Sequence, residues 1–357
     1  MKIVLATGIY PPDIGGPATY VKALAEELRK KGMEVGVVTY GASSKQQAAD
    51  SNWEVMYVKK SGGPLLRWWR YAKMLKKVAG DADIVIAFSS VSAGVPLMFA
   101  RLKKPKKILR LGGDFFWERF TDRGGMLGLR EWYARRTVIS LLLRYCATRL
   151  LRLFNHIVYS TEFQRDLHRT VYRDLPSHSV IRNAMPIGMQ VEHKAHQPFR
   201  VLFMGRFVGF KNLYALIEAI STISGVALTL VGDGPLLSSL KSHALLLRAP
   251  VTFRPPVHGE EKKKVFAEHD LLILPSLTEI SPNVALEAHA LCLPVLLSEE
   301  TGLSPTEFIY VRPLKTPAEI QNAILERIQN YESPRYEVAV RDYNRVALEW
   351  LSLLQSL

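Results

Sequence analysis

Two stretches of this chain begin alike. Lys2-Ile-Val-Leu-Ala6 and Arg200-Val-Leu-Phe-Met-Gly205 are apolar runs of strand length, and each breaks at a glycine loop before a helical pattern starts. After the first, Val21, Leu24, Ala25 and Leu28 recur at helical spacing, and Gly32 marks the helix end. Strands read near 34–39, 53–58, 83–87, 107–111 and around Val158, with helices near 66–79, 92–101 and 129–152 between them. The second half repeats the alternation, with strands near 226–232, 251–253, 271–274 and 294–297. Strands separated by helices imply βαβ units and a parallel sheet. The polar, patternless run 182–198 reads as a linker. The expectation is therefore an α/β chain of two Rossmann-like domains, residues 1–190 and 198–337, facing a central cleft, where ligands commonly bind.

Composition narrows the class. With 357 residues and 48% hydrophobic content, the chain can bury two cores. Its two cysteines, Cys146 and Cys292, lie far apart and give no disulfide framework. The opening apolar run is too short for a signal peptide, and no run of about 18 apolar residues could span a membrane. A cytoplasmic protein is expected, with peripheral attachment to the inner face of the cell membrane as an extension. That extension comes from a net charge of +14, concentrated in the first half. No helix-turn-helix, zinc-finger or RNA-recognition signature appears, so nucleic acid is disfavoured against an anionic membrane surface. Leu65-Leu-Arg-Trp-Trp-Arg-Tyr71 sets two tryptophans among cations, as interfacial anchors do. Over 130–152, Trp132, Ile139, Leu143, Cys146 and Leu150 fall on one helical stripe, with Arg130, Arg144 and Arg152 roughly opposite. That pattern suits either a core-facing helix with a solvated arginine face or a contact with anionic lipid.

The densest chemistry lies in 271–295. The apolar run Leu271–Leu274 ends at Pro275-Ser276, a polar turn follows, and a helix begins at Pro282-Asn283. Glu279 sits at the strand's exit. Glu287 sits one turn inside the helix, on the side of Asn283. Backbone N–H groups around Pro282, Asn283 and Val284 would face an arriving anion. Upstream, Arg206 and Lys211 leave a strand end on one loop, where a planar fork and a point charge could both reach a diphosphate.

The order G-R-x4-K (Gly205 to Lys211), G-D-G-P (Gly232 to Pro235), E-x7-E (Glu279 to Glu287) and Leu293-Pro-Val295 resembles the donor domain of the retaining glycosyltransferases of family 4 over about 100 residues. The resemblance implies GT-B architecture, with the terminal helix 338–357 crossing back to the first domain. It implies a hexose moved from a nucleoside diphosphate to a hydroxyl acceptor, lipid-linked or on a growing surface glycan. Arg206 and Lys211 would hold the diphosphate and neutralise the leaving group, without metal or other cofactor. Glu287 would bind the ribose hydroxyls and Glu279 a hydroxyl of the sugar. Backbone around Ser281, Pro282 and Asn283 would approach phosphates and sugar, as would the first-domain loop at Gly15-Gly16. Relatives carry a histidine near the reacting sugar where this chain has Gly113-Asp114. Asp114 then either orients or deprotonates the acceptor hydroxyl, or caps the next element. Ser160, Arg165 and Asn183 match a cleft-wall pattern, and His258-Gly259 a loop near the base pocket. Departures are Ile280, Ala184 and Cys292 where relatives often have glycine. A nucleotide-sugar 2-epimerase of the same architecture, or a non-catalytic basic binder, are the alternative readings.

Overall fold

A computed structural model describes residues 1–13, 15–41, 55–184, 195–306, 308–332 and 341–357. The chain divides into two compact units. One comprises Met1–Phe115, Tyr133–Ala184 and Asp342–Leu357, the other Phe116–Trp132 and Met185–Arg341.

The first unit is built on seven parallel strands: β1 (Lys2–Ala6), β2 (Glu34–Tyr40), β3 (Val55–Val58), β4 (Ile84–Ala87), β5 (Lys106–Leu111), β6 (His156–Tyr159) and β7 (Ser177–Val180). Their order is β3-β2-β1-β4-β5-β6-β7, with Ile3 opposite both Val35 and Ile84. Between them run α1 (Gly16–Lys30), α2 (Pro64–Ala79), α3 (Val95–Phe99), α6 (Val138–Leu151) and α7 (Glu162–Val171). Helix α4 (Phe115–Asp122), from Phe116 on, and the first turn of α5 (Leu129–Ala134) follow β5 in the chain but fall within the Phe116–Trp132 segment of the second unit. Ile3, Val4, Leu5 and Ala6 are all buried, as a strand covered on both faces requires.

The second sheet has six parallel strands: β8 (Phe199–Met204), β9 (Val226–Val231), β10 (Val251–Arg254), β11 (Leu271–Leu274), β12 (Val295–Ser298) and β13 (Ile309–Arg312). Their order is β10-β9-β8-β11-β12-β13. The connecting helices are α8 (Leu213–Ser221), α9 (Leu237–Leu246), α10 (Gly259–Ala267), α11 (Asn283–Ala290) and α12 (Pro317–Gln329). The last helix, α13 (Tyr343–Ser356), belongs to the first unit. There its Val346, Trp350 and Leu354 join Tyr20, Val21, Leu24 and Leu28 of α1 in one core, and Trp350 Nε1 donates to Tyr20 Oη at 2.9 Å.

Several sequence expectations change. The helix read over 129–152 is two helices, because Thr137 leaves the helical conformation and its hydroxyl caps α6 by accepting from Ser140 N at 3.2 Å. Arg144, expected on a solvated face, turns inward and donates to the carbonyls of Tyr133 and, at 2.7 Å, Arg135, beside the end of α5. The inward stripe of α6 is carried by Ala147, Leu150 and Leu151, while Ile139 and Cys146 face solvent. Strands β7 and β13 and helices α4 and α12 add to those read from sequence. β7 is polar, and its Ser177 and Ser179 hydroxyls flank the His156 ring at 2.8 and 2.9 Å, so it lacks an apolar run. Most of the expected linker (185–194), residues 53–54 of a strand and 338–340 of the expected terminal helix lie outside the described residues.

Candidate active site

In the second sheet β8 and β11 are neighbours whose chains leave in opposite directions, to β9 and to β12. Ligands of open parallel sheets bind outside the carboxyl ends of strands at such a reversal. The loop after β8 carries Gly205, Arg206 and a 3-10 turn, Gly209–Lys211. The G-D-G-P loop after β9 packs against it backbone to backbone: Phe207 N donates to Asp233 O at 2.9 Å and Leu236 N to Phe207 O at 3.2 Å. A Cβ at Gly232 would lie 1.9 Å from the Gly205 carbonyl oxygen, and one at Gly234 2.5 Å from that of Phe207. The glycines of this motif therefore shape the Arg206 loop. Asn212 closes the turn in the left-handed region (φ 55°), its amide donating to the carbonyls of Leu314 and Lys315 at 3.0 and 3.1 Å.

The loop after β11 is held from both sides. Leu277 N donates to Phe210 O at 2.8 Å, Glu279 N to Glu300 O at 2.9 Å, and Gly302 N to Glu279 O at 2.8 Å. The two loops meet where Lys211 Nζ donates to Glu279 Oε1, which also accepts from Ser276 Oγ at 2.6 Å. Lys211 lies 4.8 Å over the Phe210 ring, and Phe210 packs on Trp117 with centroids 5.1 Å apart. Glu279 and Lys211, expected to grip different parts of a donor, thus meet each other as a buried ion pair. Arg206 is exposed on the same loop, with no ion-pair partner among the described residues.

Glu287 projects from α11, half-buried, and pairs with Lys262 of α10. Pro282 occupies the N-cap of α11 and offers no side-chain acceptor. Its carbonyl takes Ala285 N and Leu286 N at 3.0 and 3.3 Å, while Asn283 and Val284 make the first turn, next to Ser281. Cys292 adopts φ 58°, the left-handed conformation that glycine takes without penalty. Ile280 is simply buried.

Sequence reasoning missed the supports of this site. Ser276 and Lys262 sit in runs that read as a turn and a solvated charge cluster, so nothing local marked them. The segment Phe116–Trp132 belongs to this second unit: Leu129 N donates to Thr278 Oγ1 at 2.8 Å and Arg130 N to Glu300 Oε1 at 2.6 Å. Burial pushes the Glu300 carboxyl up.

In the first unit, Gly15 and Gly16 lie beyond β1, which with β4 forms that sheet's reversal point. Gly15 caps α1, its carbonyl accepting from Ala18 N at 3.0 Å, and Gly16 is the first residue of the helix. Asp114 is buried after β5. Its Oδ2 accepts from Tyr133 Oη, whose hydroxyl contacts Tyr172 Oη at 2.9 Å, and His168 Nε2 lies 3.8 Å away. Burial pushes the Tyr133 phenol well up, so it stays a donor to Asp114. Asn183 Oδ1 accepts from buried Arg110 at 2.8 Å, Arg165 pairs with Asp166 at 2.8 Å, and Ser160 is fully buried at the end of β6. His258 is exposed at the N-cap of α10, in the second unit.

The model of glycosyl transferases group 1 matches residues 198–330, and that of the glycosyl transferase 4-like domain residues 15–184. The chain is a GT-B glycosyltransferase of group 1, of the family 4-like type. This glycosyltransferase is 26% identical over 335 residues to the uncharacterized glycosyltransferase MJ1607 of Methanocaldococcus jannaschii, covering 85% of this chain and 82% of that one. It is 33% identical over 132 residues to the teichuronic acid biosynthesis glycosyltransferase TuaC of Bacillus subtilis, 37% of this chain and 32% of that one. Among solved structures, sucrose-phosphate synthase of Thermosynechococcus elongatus superposes with a TM-score of 0.76 at 17% identity, over 99% of this chain and 98% of that one. HepE of Anabaena, in complex with UDP and glucose, does so with 0.74 at 16%, over all of both chains. At such identities these structures share the fold. Among the described residues no helix is long and apolar enough to cross a membrane.

Proposed function

We propose that this glycosyltransferase moves a hexose from a nucleoside-diphosphate sugar to a hydroxyl of a glycan or lipid-linked acceptor, with retention at the anomeric carbon. The observation that carries the proposal is the Lys211–Glu279 pair with Ser276, formed where the β8 and β11 loops meet, with Arg206 exposed on the same loop. A diphosphate would draw Lys211 from Glu279, leaving the carboxylate to accept from a sugar hydroxyl, while Arg206 takes the other phosphate edge. Glu287 would exchange Lys262 for the ribose hydroxyls. These two cations would stabilise the leaving diphosphate, so no metal is required. Asp114, already holding Tyr133, suits positioning the loop after β5 for the acceptor. The departing phosphate oxygen would then help take the acceptor's proton on the same face. HepE's complex with UDP and glucose makes UDP-glucose the first donor to try. An anionic membrane surface is the second partner we infer, from the +14 charge.

The test is a thermal-shift panel of UDP-, GDP- and ADP-sugars, followed by product analysis with a hydroxyl acceptor. One donor should raise the melting temperature, and the product linkage should keep the donor's anomeric configuration. No shift with any sugar nucleotide, or a new sugar nucleotide formed without acceptor, would refute the proposal.

A further inference from the structure

Helix α6 is apolar on the wrong side for an ordinary surface helix. Its inward stripe ends in Ala147, Leu150 and Leu151, which pack into the first unit. Its outward stripe begins with Val138, Leu142 and Tyr145 and continues with Arg149 and Arg152, at alternating spacings of four and three. Val138 is 83% exposed, Ile139 71%, Leu141 51%, Leu142 61% and Tyr145 59%. A contiguous apolar patch of this kind marks an interaction surface, whereas scattered exposed side chains mark nothing.

Charge identifies the occupant. Residues 132–161 hold no Asp or Glu and five arginines, of which Arg135, Arg136 and Arg149 border the outward face, Arg144 turns inward and Arg152 pairs with Asp174 at 2.6 Å. Arg135 and Arg136 precede the patch, while Arg149 closes it with its guanidinium 5.6 Å over the Tyr145 ring. A second copy docked about a two-fold axis would set this basic rim against its own like charges. An anionic lipid surface accepts the rim at its headgroups and the apolar stripe at the acyl boundary. The same unit carries a second pattern of this kind on α2, where Leu65 and Trp69 are exposed and Lys73 lies 5.6 Å over the Trp69 ring.

We propose that the outward face of α6 inserts into the headgroup region of anionic phospholipid, with its arginines on phosphates. The seat is this outward apolar stripe, where the sequence pattern left either a core-facing helix with a solvated arginine face or a lipid contact open. The inference rests on the membrane contact proposed above, and vesicle binding is read separately from donor binding. The full chain should co-sediment with phosphatidylglycerol/phosphatidylcholine vesicles and not with phosphatidylcholine alone. Leu141→Ser/Leu142→Ser should weaken that binding by on the order of tenfold per leucine, and Arg136→Gln/Arg149→Gln by about fivefold per arginine. Both variants should keep the parent melting temperature and donor-induced thermal shift, because every altered side chain is exposed. Raised salt should erase the arginine contribution before the leucine one. Equal vesicle binding by parent and leucine variant would overturn the proposal. So would a concentration-dependent dimer in sedimentation velocity that the leucine substitutions abolish, since the face would then be a self-interface.

Discussion

Replacing Lys211 by Met should destabilise the second unit far more than replacing Glu279 by Gln, although both remove one member of the same pair. The side chains are 16% and 8% exposed, so water can rescue neither charge. Lys211→Met strands the Glu279 carboxylate with Ser276 Oγ at 2.6 Å as its remaining side-chain donor. A buried charge left without its partner costs about 3–5 kcal/mol, and the serine places this case toward the lower end. Glu279→Gln leaves the Lys211 ammonium without its counter-charge, but keeps for it an amide oxygen to donate to and the Phe210 ring at 4.8 Å, so the loss should be smaller, about 1–2 kcal/mol. The double variant should cost less than the sum, by roughly 1–3 kcal/mol of coupling, because the second change removes the charge that the first stranded. By calorimetry, about 3 kcal/mol on a unit of this size lowers its melting temperature by roughly 6–12 °C. Donor-induced stabilisation should vanish in both single variants. Equal and small shifts, or strict additivity in the double variant, would refute the reasoning that the two charges depend on each other.

Two further outcomes follow from close packing and from a titrating pair. Gly234→Ala places a methyl group 2.5 Å from the Phe207 carbonyl oxygen, so the Arg206 loop must move. The loss should be about 1–3 kcal/mol in thermal unfolding, with donor binding weakened well beyond what that loss explains. Glu326 accepts from Arg312 Nε and Nη2 at 2.9 and 2.7 Å, and these bonds hold its carboxyl at about 2, down from 4.5. A lowered carboxylate pKa stabilises the fold above the unfolded value, and that contribution fades as pH falls from about 4.5 through about 2. Melting temperature followed over that window should fall less steeply in Glu326→Gln than in the parent.

Much of the candidate site was legible before any coordinates. Arg206 and Lys211 follow an apolar run and a glycine, and Glu279 and Glu287 bracket a strand-to-helix turn, so local periodicity alone placed the first three after strand ends and Glu287 one turn inside the helix. Their pairing was not legible. Lys211 meets Glu279 because β8 lies beside β11, and strand order is a long-range choice that no local pattern encodes. Lys262 was missed for the same reason, because it reaches Glu287 from α10 out of a run that reads as solvated, whereas Ser276 sits three residues before Glu279 on the same loop, in what reads only as a turn. The helix read over 129–152 failed differently. Its apolar residues continue through Arg135-Arg136-Thr137, and only the Thr137 cap ends one helix and starts the next.

By itself the sequence determined the alternation of strand and helix, the buried strands and the one-sided stripe of α1. Apolar periodicity is a local property, and water acts on it wherever the chain folds. Tertiary structure decided which charges face each other, which glycines another backbone crowds, and which side of α6 looks outward. When a helix is apolar on both sides, hydrophobicity cannot choose the inner one. Only the neighbours it packs against do.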